Sequence, residues 1–238
     1  MKILGIDSSG LVASVAVVED KELLGEYTIN YKKTHSQTLL PMLDELKQML
    51  ELDVDSIDAI AVAAGPGSFT GLRIGSATAK GLGLALEKPL VAVPTVDGLA
   101  WNLWGARTLI CPIMDARRNQ TYTGLYAFDE HQEFHVLVEQ CAVDINEIVD
   151  QINERGEAVT FLGDGVPVFE NIIAERVKVP YFFAPAGMNR QRASSLANLA
   201  MQYIKEGKTV SAADFRPDYL RLSQAERERL EAQRGAKE

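Results

Sequence analysis

An eleven-residue segment rich in glycine constrains this chain more than any other part of its sequence. Gly65 to Gly75 reads Gly-Pro-Gly-Ser-Phe-Thr-Gly-Leu-Arg-Ile-Gly and leads into an apolar segment with a small residue at every fourth position. That spacing places the small residues on one face of a helix, and they are Gly71, Gly75, Ala79 and Gly83. Glycine inside a helix lowers stability by roughly 1 kcal/mol relative to alanine. The pattern therefore predicts a helix that another part of a backbone approaches closely.

A glycine-rich turn before a helix also suits phosphate binding, because the free amides at a helix N-terminus attract anions. The spacing here differs from the dinucleotide-binding pattern, and no Lys-Ser or Lys-Thr pair follows as in a phosphate-binding P-loop. Packing is therefore the favoured interpretation. Periodicity alone leaves open whether the small face packs on the chain's own sheet or on the helix of a partner.

The composition is that of a folded, acidic chain. Its 238 residues are 47% hydrophobic, which is enough to bury a substantial core, and the formal net charge is −9. An acidic chain is poorly suited to binding nucleic acid unaided, so any RNA role would need a basic partner. Cys111 and Cys141 lie among apolar or small residues, which indicates reduced core cysteines. Because no apolar run reaches the roughly 20 residues of a membrane span, we expect a cytoplasmic protein.

The order of predicted elements occurs twice along the chain. Three antiparallel strands come first, followed by a helix from Thr34 to Leu50, a strand, the glycine-rich helix, another strand and a helix. Thr34 and Gln37 have the spacing of a capping box. A similar series begins at Leu109. We predict an α/β fold of two similar subdomains, 1–104 and 105–222, each with a mixed sheet flanked by helices, and a charged tail at 223–238.

An aspartate ends the first strand of each predicted subdomain. Asp7 is followed by two serines, and Asp115 precedes an alanine and two arginines. Aspartates on two facing turns can share one cation that holds a phosphate, although Asp and Ser are also ordinary turn residues. The candidates for cofactor binding are Asp7, Ser8, Ser9 and Asp115, with Gly163 and Gly165 of the turn Gly163-Asp164-Gly165.

The sequence offers no evident catalytic or metal-binding set. It contains three histidines, of which His131 and His135 straddle a predicted strand turn instead of sharing one helix face. So few histidines do not define a Ser-His-Asp triad, and no nucleophile stands out. We therefore predict no catalytic residues and no metal ligands.

Four motifs together resemble the TsaB family, also called YeaZ. They are Ile6-Asp7-Ser8-Ser9, the segment Gly65 to Gly75, Met114-Asp115-Ala116-Arg117-Arg118 followed by Tyr122, and Pro217-Asp218-Tyr219-Leu220-Arg221. These motifs run from end to end of the chain, and the glycine segment is specific. The resemblance implies the fold of actin, sugar kinases and Hsp70, which agrees with the doubled order of elements.

The resemblance also implies a role in tRNA modification. TsaB-like proteins are non-catalytic partners of TsaD, which threonylcarbamoylates the adenosine 3′ of the anticodon in tRNAs reading codons that begin with A. They pair with TsaD, support assembly with the ATPase TsaE, form homodimers without TsaD, and meet tRNA only through the complex. No cofactor is expected on the isolated chain, whereas ATP or ADP is compatible with the assembled complex. The metal-binding His-x-x-x-His helix of TsaD has no counterpart between Thr95 and Trp104.

The resemblance implies that the first two long helices form the partner surface. Their bulky and small stripes would then pack together across the interface. The expected interface residues are Leu39, Leu43, Leu46, Leu50, Gly71, Arg73, Gly75, Ala79 and Gly83. Two other functions stay open: an independent ATPase or phosphotransferase that uses Asp7, Asp115 and the turn at Gly163, and a homodimeric interaction protein with duties outside tRNA.

Overall fold

The computed structural model describes residues 1–31 and 34–220. Two five-stranded mixed sheets carry helices on their faces, which confirms the predicted class of fold. Across these residues, the structure contains no helix that is both long and apolar enough to cross a membrane. The predicted charged tail at 223–238 and Arg221 of the last motif lie outside the described residues.

The first sheet has the strand order β3-β2-β1-β4-β5. Its strands are β1 (Lys2–Asp7), β2 (Ala13–Glu19), β3 (Glu22–Ile29), β4 (Ala59–Gly65) and β5 (Leu90–Pro94). The first three form an antiparallel meander, and β4 and β5 run parallel to β1. Strands β1 and β4 are apolar along almost their whole length because helices cover both faces of the sheet.

The second sheet repeats this order. Its strands are β6 (Leu109–Asp115), β7 (Gln120–Phe128), β8 (Phe134–Asp144), β9 (Val159–Leu162) and β10 (Tyr181–Phe183). Read from its antiparallel side, the order is β8-β7-β6-β9-β10, in which β9 and β10 run parallel to β6. The two sheets therefore share one topology, as the doubled order of predicted elements indicated.

Within residues 1–31 and 34–220, six α-helices cover the two sheets. They are α1 (His35–Met49), α2 (Phe69–Ala85), α3 (Thr95–Ala100), α4 (Ile145–Arg155), α5 (Val166–Arg176) and α6 (Ala193–Lys205). Helices α1 and α2 share an apolar core with the first sheet, and α4 and α5 share one with the second. Helices α3 and α6 belong to a third cluster that contains residues of both sheets. The two halves are therefore joined by a continuous apolar contact.

The last helix returns to the first sheet. Helix α6 contacts β1, β2, β4 and β5. The carboxylate of Glu26 on β3 pairs with Arg192 and accepts the backbone N–H of Ser194 at 3.0 Å, which holds the start of α6. Further along, Ala212 and Phe215 join the apolar core of α1 and α2. The chain from α6 onward therefore packs on the first half, and the division into 1–104 and 105–222 stays a prediction.

The capping box is found at a different helix from the one predicted. Thr34 precedes α1, but its side chain makes no capping hydrogen bond within the described residues. Its carbonyl instead accepts the N–H of Gln37 at 2.9 Å. At the start of α4, Asp144 accepts the N–H of Asn146, and Glu147 completes a true capping box. The prediction at Thr34 is wrong because spacing alone does not fix a side-chain rotamer.

Candidate functional site

An open cleft of about 1210 Å³ lies at the carboxyl ends of the parallel strands. Because parallel strands end at the same sheet edge, the turns that follow them gather there. The lining includes residues from the turns after β1, β4, β6 and β9, among them Ser9, Gly67, Asp115 and Asp164. Ser9 and Asp115 thus line the same cleft, whereas Asp7 does not. Asp7 and Ser8 are buried behind the first of these turns.

The carboxylate of Asp7 is an acceptor for its own turn. Asp7 is only 2% exposed. Its Oδ1 accepts the backbone N–H of Ser9 at 2.9 Å and the hydroxyl of Ser9 at 2.6 Å. Burial raises the pKa of Asp7 to about 6, and the hydrogen bonds from Ser9 oppose that shift. Both Asp7 and Ser9 are therefore engaged within the chain.

The small stripe of α2 packs on this same turn. The hydroxyl of Ser8 donates to the carbonyl of Gly71 at 2.8 Å. A Cβ atom at Gly71 would overlap the carbonyl oxygen of Ser8, and one at Gly75 would lie 2.5 Å from Ser8 Oγ. Ala79 is fully buried, and a Cβ at Gly83 would collide with Leu90. The prediction that these four residues face a partner is wrong, since the chain's own backbone and sheet occupy that face.

The bulky stripe of α1 also faces inward. Leu39 and Leu46 are buried in the core of the first sheet, and Leu43 and Leu50 pack against it half-buried. The apolar face of this amphipathic helix covers the first sheet. Leu39 and Leu46 are therefore core residues in this chain, and Leu43 and Leu50, which stay partly exposed, remain interface predictions.

A second stripe, in which only Ala77 and Gly81 are small, lies on the opposite side of α2. Arg73, Ala77, Gly81 and Leu84, here called the outer face of α2, are all exposed, and Leu84 is 60% accessible. Among the described residues, no heavy atom lies within 4 Å of a Cβ added at Gly81. Helix α2 thus carries small residues four positions apart on two faces. Periodicity alone did not identify which of the two faces is exposed. Arg73, whose guanidinium lies 4.2 Å from the Phe69 ring centroid, is the predicted interface residue that is exposed.

The turn after β6 is more open than the turn after β1. Asp115 accepts the N–H of Arg117 at 2.8 Å and pairs with its guanidinium at 3.3 Å. Asp164 Oδ1 accepts the N–H of Asp115 at 3.3 Å, and burial raises the pKa of Asp164. These contacts tie the two aspartates to one another and to the local backbone.

The predicted glycine turn packs against β6. Gly163 has φ of 110°, and a Cβ there would overlap the carbonyl of Ile113. The N–H of Gly165 donates to Ile113 at 2.9 Å, and the N–H of Gly163 donates to Asn189 at 3.1 Å. Both amides are therefore already bonded. The two glycines allow close packing, and only Gly163 has a left-handed backbone, so these amides do not form a free anion cradle.

Sequence reasoning did not identify the wall of the cleft formed by the last motif. The N–H of Asp218 donates to Ala64 at 2.7 Å, and the ring of Tyr219 lies 5.0 Å from that of Phe69. At the start of α1, His35 Nε2 lies 2.8 Å from the carbonyl oxygen of Gly10, which belongs to the turn after β1. The motif at Pro217 was recognised, but its contact with the end of β4 spans more than half of the chain and has no local signal.

Nearly the whole chain is similar to proteins named for threonylcarbamoyladenosine in tRNA. The family model of TsaD, the tRNA N6-adenosine threonylcarbamoyltransferase, matches residues 22–229. A Bacillus subtilis protein named tRNA threonylcarbamoyladenosine biosynthesis protein TsaB is 35% identical, covering 98% of this chain and 100% of its own length. The Escherichia coli protein of the same name is 30% identical over 93% of this chain and 95% of its own.

A solved structure agrees with these sequence matches. A Pseudomonas aeruginosa protein described as similar to the peptidase YeaZ is 26% identical, with a TM-score of 0.79. The alignment covers 92% of this chain and 99% of that one. From these matches, the chain belongs to the TsaB family of tRNA threonylcarbamoyladenosine biosynthesis proteins.

Proposed function

We propose that this chain is a non-catalytic cytoplasmic subunit of the machinery that makes threonylcarbamoyladenosine in tRNA. It binds a TsaD-like transferase and supports assembly with TsaE, and it meets tRNA only through that complex. The names of its full-length relatives support the pathway. A formal charge of −9 supports the indirect contact with tRNA, because binding to phosphates depends on basic groups.

The internal hydrogen bonds of the cleft carry the non-catalytic part of the proposal. Asp7 accepts the backbone N–H of Ser9, and Asp115 forms an ion pair with Arg117. Asp164 accepts the backbone N–H of Asp115. An activating site for phosphate or peptide chemistry needs groups directed at a substrate. Here the most suitable carboxylates already bond to groups of their own turns, which supports a structural role for them instead of a catalytic one.

The outer face of α2 carries the partner part of the proposal. Gly81 lowers the stability of a helix interior without any packing contact among the described residues that requires its small size. Leu84 on the same face and Leu40 on α1 are 60% and 58% exposed. A missing side chain beside exposed leucines suits the close approach of a partner helix. The TsaD-like partner and a second copy of this chain would compete for this face.

Gly81→Leu tests that surface without disturbing the interior. We expect at least a roughly tenfold loss of affinity for a TsaD-like partner in calorimetry, because the leucine would hold the helices apart. Circular dichroism of the isolated variant should resemble that of the parent chain, and thermal unfolding should show that the variant is no less stable. Gly187→Leu is the matched control, since a Cβ there also meets no described heavy atom within 4 Å. Normal binding by Gly81→Leu would reject the outer face as the interface.

A reconstituted modification assay tests the role of the whole chain. Threonylcarbamoylation of tRNA should be lost when this chain is omitted and should be absent when it is supplied alone. Modification by this chain alone would make it an enzyme, and undiminished modification in its absence would remove it from the pathway. Measuring the Gly81→Leu variant in the same assay links the surface to the activity.

The size of the cleft favours one other candidate, an independent ATPase or phosphotransferase. A volume of about 1210 Å³ accommodates a nucleotide, and Ser9, Asp115 and Asp164 all line it. Calorimetry of the isolated chain with millimolar Mg-ATP distinguishes the two functions. Saturable heat and turnover that is lost in Asp115→Asn would support the enzyme, whereas an absence of heat supports the accessory subunit.

A further inference from the structure

The turn between β7 and β8 brings an imidazole and two carboxylates together. The atoms of Asp129, Glu133 and His135 that can bind a metal all lie within 4.8 Å of one another. Nε2 of His135 is 3.0 Å from Oδ2 of Asp129. Glu133 and His135 are exposed and Asp129 is partly exposed, so an ion reaches the cluster directly from solvent. From the sequence, His131 was considered together with His135. In the structure, His135 lies beside the two carboxylates, and His131 is not part of the cluster.

The backbone of the turn orients Asp129. Its Oδ1 accepts the N–H of His131 at 2.9 Å and the N–H of Glu133 at 2.8 Å. With Oδ1 held by two donors, Oδ2 is the oxygen directed to His135. This carboxylate is therefore already positioned beside the imidazole and the carboxylate of Glu133.

We propose that Asp129, Glu133 and His135 form a site for one divalent ion of the zinc, nickel or copper type. A mixed imidazole and carboxylate set suits these metals, whereas magnesium and calcium prefer oxygen ligands alone. The two carboxylates balance the charge of the ion. Three protein ligands leave a fourth tetrahedral position for water or for a group of another molecule.

The location of the site provides a direct readout. Phe128 and Phe134, which flank the turn, lie 5.4 Å and 5.3 Å from the ring of Trp101. An ion that bridges β7 and β8 would fix this aromatic cluster from the solvent side. Zinc should raise the thermal midpoint of the chain, because a ligand that binds only the folded state stabilises it by mass action. Nickel should quench the fluorescence of the nearby tryptophan.

Calorimetric titration of the tag-free full chain with zinc chloride tests the site. We expect one ion per chain with micromolar affinity. His135→Ala and Asp129→Asn should each weaken binding at least about tenfold, since each removes or neutralises a ligand. Asn at position 129 retains an oxygen that accepts the two backbone N–H groups, so the turn itself should persist. Circular dichroism checks the fold of both variants.

His131→Ala is the matched control on the same turn. Its imidazole is 77% exposed and lies 3.6 Å from Glu130, outside the proposed cluster. This variant should bind zinc and nickel as the parent chain does. The proposal is overturned if zinc shows no saturable binding at about 1 mM, or if His131→Ala weakens binding as much as His135→Ala. Neither result bears on the proposed partner surface, which lies on a different helix.

Discussion

The turn after β1 and the turn after β6 occupy equivalent places in the two sheets, yet they are built differently. Asp7 on the first turn is buried, and α2 presses on the serine that follows it. Asp115 on the second turn pairs with Arg117, whose side chain is 84% exposed. Residues 117–119 all have positive φ. A repeated topology therefore preserves the position of a turn without preserving its burial or its chemistry.

The helices that follow the next parallel strands explain the difference. On α2, the inward positions hold Gly71, Gly75 and Ala79, so its backbone approaches the first turn closely. On α5, the buried inward positions hold Phe169 and Ile173, and these side chains fill an apolar core with the second sheet. Side-chain size at a few helical positions thus sets how near the helix comes. The small stripe closes one turn, while the equivalent turn stays open to the cleft.

Gly71→Leu is the substitution expected to have the largest effect on the first turn. The new side chain would overlap the carbonyl of Ser8, which is backbone and cannot rotate away. We expect the free energy of unfolding to fall by about 4 kcal/mol or more, as for severe overpacking. Urea unfolding followed by circular dichroism measures it. A loss below about 1 kcal/mol would contradict the close contact between α2 and the first turn.

Burial of the first turn should also appear as a pH dependence. The pKa of Asp7 is about 6 in the folded chain against an ordinary value of 3.8. The folded state therefore holds the proton longer, and stability falls as pH rises from about 4 to about 6, by up to roughly 3 kcal/mol. Above that range this contribution is constant.

Asp7→Asn isolates this pH effect. The amide oxygen still accepts from Ser9 but carries no charge, so the stability of the variant relative to the parent should rise over that pH range. Unfolding free energies of both chains at several pH values provide the comparison. A difference that does not change with pH would mean that Asp7 is not desolvated by the turn.

Gly81→Leu sharpens the contrast between the two faces of α2. The same substitution that disrupts the fold at Gly71 should stabilise the isolated chain by roughly 0.5–1 kcal/mol here, because leucine is a better helix former than glycine. Thermal unfolding of the two variants side by side measures the difference. If Gly81→Leu destabilised the chain as Gly71→Leu does, the two faces would not differ in burial.

The smallest effect is expected at the open turn. Arg117→Ala removes an ion pair with Asp115 whose cation is almost fully exposed. We expect a change of less than about 1 kcal/mol in the free energy of unfolding, because water and salt screen such pairs. Chemical unfolding at low and high salt measures it. A larger, salt-independent loss would show that the second turn is as tightly held as the first.

Much of the architecture was predictable because local patterns encode it. Apolar runs ending at Asp7 and Asp115, and the small residues of α2, identified the strands, the repeat and the close approach. The sequence pattern was less informative where two patterns coincide. Helix α2 carries small residues on two faces, and only the contacts of Gly71 and the isolation of Gly81 distinguish them. The stripe beginning at Leu39 was assigned to a partner, although it covers the chain's own sheet.

By itself, the sequence determined the duplicated α/β order, the family resemblance and the need for a closely packed helix, because periodicity and motifs are properties of neighbouring residues. The tertiary structure decided which backbone lies beside that helix, namely the turn at Ser8. It also decided that α6 returns to the first sheet and that Asp129, Glu133 and His135 converge. These outcomes depend on three-dimensional packing and on the position of each backbone in space, which spacing along a chain does not specify.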